Sequence, residues 1–272
     1  MKSYKMIATD LDGTLLGSDL KVSEENLKAI KEISEKGIMI VVATGRTLCE
    51  TEDVLKIPEI RYVIYSNGAA ILDKKTGENI LVGLDGEDLR FVYETVSTFD
   101  TFSIIHKNGK TYAHKEKALR TEYYRLPDAF VELVNNNCVL EDDYEKAFMD
   151  GAIESVVVFF AKEDEMEACG KILSANKSVQ AVKTCATNFE ILSADAGKGT
   201  ALKSLAKRLN IEIEDVIAIG DGDNDRHMIS VAGLGLATEN GGEELKAIAD
   251  RIICSNDEHI MKYVQGLIGE KI

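Results

Sequence analysis

Three features of this chain predict an α/β fold with a doubly wound parallel sheet, interrupted by an inserted α+β domain. Both ends alternate short apolar runs with amphipathic segments. Those apolar runs are continuous rather than alternating, as in strands buried on both faces. Between them the texture changes to include an Asn-Gly hairpin signal, which purely parallel sheets lack. At 272 residues the chain has room for about two domains, each with a core of its own.

Taken in order, residues 4–9 (YKMIAT) predict a first strand. Ser23 is placed to cap a helix with Glu24 and Glu25 in its first turn, Leu27, Ile30 and Ile33 on one face, and Gly37 as its stop. Residues 38–43 predict a buried strand and residues 62–65 another, just before Ser66-Asn67-Gly68. In the middle, a helix is predicted near 85–98, and strands at 102–107 and 110–114 flank Asn108-Gly109. A strand at 155–161 and a helix at 163–175 follow, the acidic run 163–167 being a helix N-terminal face favoured by the dipole. Ala201, Leu202, Leu205, Ala206 and Leu209 have helical spacing, and strands are predicted at 216–219, 234–237 and 251–254. The chain thus divides into a core of residues 1–84 and 188–272 and an insert of 85–187, with linkers near 83–86 and 186–190.

Composition narrows the function. With 47 acidic against 32 basic residues the formal charge is −15, which repels a phosphate backbone and argues against nucleic acid as a partner. No apolar run approaches the roughly 18 residues of a membrane span. The apolar stretch before Asp10 is too short for a signal peptide, so the cytoplasm is the expected location. Cys49, Cys138, Cys169, Cys185 and Cys254 are scattered with no CxxC pair, and read as reduced, ordinary residues.

The densest chemical signal is Asp10-Leu11-Asp12-Gly13-Thr14, where the first strand ends. Ligands of open α/β sheets sit at the carboxyl ends of strands, so these acids face the expected crevice. A second acidic cluster, Gly220-Asp221-Gly222-Asp223-Asn224-Asp225, follows the strand at 216–219. Two such clusters at one sheet edge would repel each other unless a cation lay between them, and a hard, oxygen-preferring ion such as Mg²⁺ suits that place. Thr44, after residues 38–43, and Lys198, in Gly197-Lys198-Gly199, supply a hydroxyl, an amide and a point charge for a phosphoryl group. An EF-hand reading of Asp221, Asp223 and Asp225 fails, because Arg226 stands where Gly is needed and Ala232 where Glu is needed. A P-loop reading of Gly197-Lys198-Gly199-Thr200 fails as well, since Leu192 stands in place of the first glycine.

With Thr44-Gly45-Arg46 and Lys198 between the two acidic clusters, the chain resembles the haloacid dehalogenase superfamily across four ordered motifs. The insert and Ser66-Asn67-Gly68-Ala69 resemble its Cof-type subclass, which carries a large α/β cap on a Rossmann-like core. The resemblance implies that Asp10 is the nucleophile and Asp12 the general acid/base. It implies that Thr44, Gly45, Lys198 and Asn224 serve the phosphate. It places Mg²⁺ on Asp10, the Asp12 carbonyl, Asp221 and Asp225, the last as ligand or as support to one. Arg46 is open between substrate contact and pairing with a carboxylate, and Asn67 between ligand contact and turn chemistry. His106 and His114, lone histidines on the hairpin, read as structural or solvent-facing. Many Cof-type relatives carry Met-Gly-Asn-Ala after the fourth motif; here the chain reads Ala237-Thr238-Glu239-Asn240, and the resemblance assigns that loop no role.

The implied function is a Mg²⁺-dependent phosphatase of a small phosphorylated metabolite, sugar phosphates first, working through an aspartyl-phosphate. The alternatives are a phosphomutase, and a phospho-acceptor signalling module, against which Asp12 speaks because a second carboxylate poised to activate water shortens the intermediate's life.

Overall fold

A computed structural model describes residues 3–269, the side chains of Thr184 and Cys185 excepted. Two compact units emerge. One holds the chain up to Arg46, Glu50–Ile80 and everything from Gly197 onward; the other holds Leu81–Ala196 together with Thr47–Cys49.

Strands β1 (Met6–Thr9), β2 (Met39–Ala43), β3 (Ile60–Tyr65), β4 (Ala70–Asp73) and β5 (Asn79–Leu81) come first. β6 (Thr101–Lys107), β7 (Lys110–His114), β8 (Cys138–Glu141), β9 (Ser155–Phe160), β10 (Val179–Cys185) and β11 (Asn188–Ser193) form a six-stranded sheet in the order β10-β11-β9-β6-β7-β8. β12 (Val216–Gly220), β13 (Leu234–Ala237) and β14 (Arg251–Ile252) complete an eight-stranded sheet in the order β14-β13-β12-β1-β2-β3-β4-β5.

From β14 to β3 neighbouring strands run parallel, and the central three stand in register with Thr9 beside both Ile219 and Val42. That register brings the carboxyl ends of β1, β2 and β12 together. β4 then turns back antiparallel on β3, a pairing that the parallel pattern did not predict. The reversal runs through Ser66, Asn67 and Gly68, all in the left-handed region. Met6, Ala8, Val41, Ala43, Val216 and Ala218 are buried in one cluster with Ala201, Leu202, Leu205 and Ala206 of the helix Lys198–Arg208. The helix Glu24–Glu35 begins where Ser23 Oγ accepts the Asn26 amide at 3.2 Å. Its buried stripe is Asn26, Ala29, Ile30 and Ile33; Leu27 lies one residue round from it and is 37% exposed, against the predicted face.

In the second unit the Asn-Gly hairpin forms as predicted, with Asn108 and Gly109 both at positive φ and Lys107 paired with Lys110. Leu89, Val92 and Val96 of the helix Gly86–Ser97, and Met166, Cys169 and Leu173 of Glu163–Leu173, cover one face of its sheet. Phe102, Ile104, Val157 and Phe159 of the other face are buried with Tyr124, Leu126 and Val134. The helix Asp128–Asn136 and strand β8 between them had no sequence signal strong enough to predict.

The boundaries differ from those expected. Leu84 is not in a free linker, because it exchanges backbone hydrogen bonds of 2.8 and 2.9 Å with Ile153. Residues 186–190 are not a linker either: β11 pairs antiparallel with both β9 and β10, burying Ile191 and Leu192. The chain returns to the first unit at Gly197 rather than at 188. No helix among the described residues is long and apolar enough to cross a membrane. Cys49, Cys138, Cys169 and Cys254 are free, and the side chain of Cys185 lies outside the described set.

Candidate active site

Asp10 follows β1 directly, its amide held by the Ile219 carbonyl at 2.9 Å. Lys198 opens the helix Lys198–Arg208, and its Nζ lies 2.7 Å from Asp10 Oδ1 and 2.7 Å from Asp225 Oδ1. All three side chains are buried, so the ammonium is held between two carboxylates in a place water barely reaches. Asp225 Oδ2 meanwhile accepts the amides of Asp221 and Gly222 at 3.1 and 3.0 Å, which shapes the loop after β12. Asp221 Oδ1 accepts the Thr14 hydroxyl at 2.8 Å. Gly13, at φ +75°, is required here, since a Cβ would collide with the Asp221 carboxylate.

Asp12 stands apart from this buried group. Its carboxylate is half-exposed and takes Arg46 in a two-pronged pair, Nε to Oδ2 at 2.7 Å and Nη2 to Oδ1 at 2.5 Å. Arg46 also donates to the Glu50 carbonyl at 3.1 Å. Arg46 is thus paired with a carboxylate, that of Asp12. Thr44 is buried at the end of β2; its amide donates to the Ile64 carbonyl at 2.8 Å and its hydroxyl accepts the Arg46 amide at 3.1 Å. Asn67, at φ +53°, offers its Oδ1 to Asn224 Nδ2 at 3.0 Å, and Gly45 passes close beside that same oxygen. Asn67 therefore serves the turn and also meets Asn224.

Every residue singled out from the sequence, Asp10, Asp12, Thr44, Gly45, Arg46, Asn67, Lys198, Asp221, Asn224 and Asp225, thus lies on a loop or helix start at the carboxyl ends of β1, β2, β3 and β12, or on the helix they adjoin. Thr14, Asn240 and Asn256 were missed. Thr14 stood inside the quoted motif without a role. Asn240 and Asn256 contact the loop after β1 from more than 200 positions away, a pairing no local pattern announces. His106 is buried against Thr111, and His114 accepts the Glu116 amide.

Burial, with the neighbouring Asp225 charge, pushes the Asp10 carboxyl up to about 7 although Lys198 pulls it down. Burial raises Asp221 as well. Lys198 would be lowered by burial, but Asp10 and Asp225 outweigh it and hold its ammonium charged. Asp10, Asp221 and Asp225 each bring a carboxylate oxygen to within 4.8 Å of the others, three anions against one cation. An all-oxygen donor set with two carboxyls already driven upward fits a hard divalent cation, which would return both to the ionised form.

The class follows from this fold and this site. Residues 7–263 match the family model of haloacid dehalogenase-like hydrolases, and the chain belongs to that family of enzymes. Among its relatives, Phosphatase YwpJ of Bacillus subtilis is 32% identical over 284 residues, covering 94% of this chain and 96% of that one. The 5-amino-6-(5-phospho-D-ribitylamino)uracil phosphatase YwtE of the same organism is 30% identical, covering 95% of this chain and 96% of its own. The crystal structure of TM0651 from Thermotoga maritima superposes with a TM-score of 0.83 at 25% identity, over 97% of each chain.

Proposed function

We propose that this enzyme is a Mg²⁺-dependent phosphatase of small phosphorylated metabolites, sugar phosphates foremost, acting through a phosphorylated Asp10. The observation that carries the reading is the buried Lys198 ammonium shared between Asp10 and Asp225 at the strand ends, with Asp221 beside them. A phosphoryl group needs its nucleophile and its countercharge fixed in one place before it arrives, and this arrangement supplies both.

An Asp10 oxygen attacks phosphorus while the bond to the leaving alkoxide breaks, and the alkoxide takes a proton from Asp12. Asp12 then takes a proton from water, whose oxygen attacks the same phosphorus and releases the Asp10 carboxylate. For either transfer Asp12 must turn from Arg46 toward the reacting oxygen. Lys198, Thr44 and Asn224 bind and orient the phosphoryl oxygens. Asp10, the Asp12 carbonyl and Asp221 would hold Mg²⁺, with Asp225 supporting them, and the ion would supply positive charge to offset that of the transferring group. YwtE, by its name, acts on a phosphorylated ribityl compound, which supports a small polyhydroxylated substrate here. A net charge of −15 argues against nucleic acid as substrate.

Release of inorganic phosphate from sugar phosphates, nucleotides, pyridoxal phosphate and an aryl phosphate tests the reading, with Mg²⁺ and with chelator. Chelator-sensitive release, ranked by substrate, is expected. Isomerised phosphate esters with little free phosphate would replace the phosphatase by a mutase.

A further inference from the structure

The loop after β13, which the resemblance leaves without a role, reaches across to the loop that follows β1. Asn240 Nδ2 donates to the Gly13 carbonyl at 2.7 Å, and Asn240 Oδ1 accepts the Asn256 amide at 2.9 Å. Asn256 Nδ2 in turn donates to the Leu16 carbonyl at 2.9 Å, and Asp257 Oδ1 accepts the Ser18 amide at 2.7 Å. On its other side the same loop is tied to the fourth motif, Gly242 donating to the Asp221 carbonyl at 3.0 Å and Thr238 to the Gly220 carbonyl at 3.1 Å.

Gly13 is the pivot of the segment that carries Asp10 and Asp12. It takes φ +75° directly after Asp12, whose own backbone leaves the helical region, and its carbonyl belongs to the peptide that leads into Thr14, so a bond to that carbonyl fixes the turn from which Thr14 projects. Thr14, the next residue, holds Asp221. Only a carboxamide puts a donor and an acceptor side by side in the way this site uses them; a carboxylate of the same size would keep the Asn256 contact and repel the Gly13 carbonyl.

We infer that Asn240 is a positioning residue for the reaction: it fixes the Gly13–Thr14 peptide, and through it the Thr14–Asp221 contact beside the buried carboxylates, while touching no reacting atom. The inference rests on the phosphatase reading for its kinetic consequence, and on the hydrogen bonds alone for its structural one.

The experiment compares wild type with Asn240→Asp and Asn240→Ala in two measurements. Hydrogen–deuterium exchange across residues 11–18, read without metal or substrate, should speed up in both variants while exchange in the second unit stays as it is. Steady-state phosphate release should show kcat down about tenfold, with KM changed less than about threefold. Unchanged exchange at 11–18 would overturn the inference whatever the activity, and faster exchange with unchanged kcat would overturn its catalytic part. Should wild type release no phosphate from any substrate, the exchange result still decides the clamp, and the phosphatase reading alone is lost. Asn240→Asp, nearly isosteric, keeps the comparison valid if the alanine variant folds poorly.

Discussion

At the residue scale, the pair with Arg46 sets the resting position of Asp12, the side chain proposed as acid/base. Both guanidinium contacts are short and the carboxylate remains half-exposed, so Arg46 holds Asp12 without burying it. If Arg46 acts through Asp12, Asp12→Asn should lower kcat by about 10²–10⁴-fold and Arg46→Ala by about tenfold. The double variant should then fall no further than Asp12→Asn alone. Losses that multiply in the double variant, measured as kcat and KM on one substrate, would assign Arg46 to the substrate instead. Asp10, Lys198, Asp221 and Asp225 were legible in the sequence because each sits at a strand end or a helix start, where an α/β sheet gathers its ligands. Asn240 and Asn256 were not legible, because a side chain that holds a distant carbonyl looks like any other polar loop residue.

At the scale of elements, the parallel strands and the Asn-Gly hairpin announced themselves by apolar continuity and turn chemistry. β10 and β11 did not, since Gln180, Lys183 and Glu190 break the apolar pattern of strands that are only partly covered. The unpredicted antiparallel pairing of β3 and β4 has its own fastening. Burial alone would raise Asp73, but the amides of Thr76 and Lys75 and the Arg61 guanidinium outweigh it and hold its carboxyl below the usual range. A group depressed in the folded state adds stability above its unfolded pKa, near 3.9, and loses it as pH falls through the folded value. Asp73→Asn should therefore cost about 1–3 kcal/mol at neutral pH, with the gap to wild type closing below about pH 4. Urea denaturation across that range checks it; a gap independent of pH would remove the charge from the account.

At the scale of the whole molecule, the chain is a sequence-discontinuous core that spends the middle of its length on a second folded unit. Its two-part organisation was legible from the change of texture, whereas its seams were not. The return lies at Gly197 because β11 completes the second sheet, a pairing decided by partners on β9 and β10 rather than by any turn signal at 186–190. The site draws on both ends of the chain: Asp10 directly follows the first strand, and Lys198, Asp221 and Asp225 come from the last third. If Asp10 is the proposed nucleophile at this junction, the phosphoryl group must pass through its carboxylate, where it can be caught. Asp12→Asn and the double variant Asp10→Asn/Asp12→Asn are mixed with an aryl phosphate and Mg²⁺, quenched in acid, and analysed by intact mass and peptide mapping. A single phosphoryl group is expected on the peptide bearing Asp10 in the first protein and none in the second; a phosphoryl group elsewhere, or full turnover by Asp10→Asn, would remove Asp10 as nucleophile.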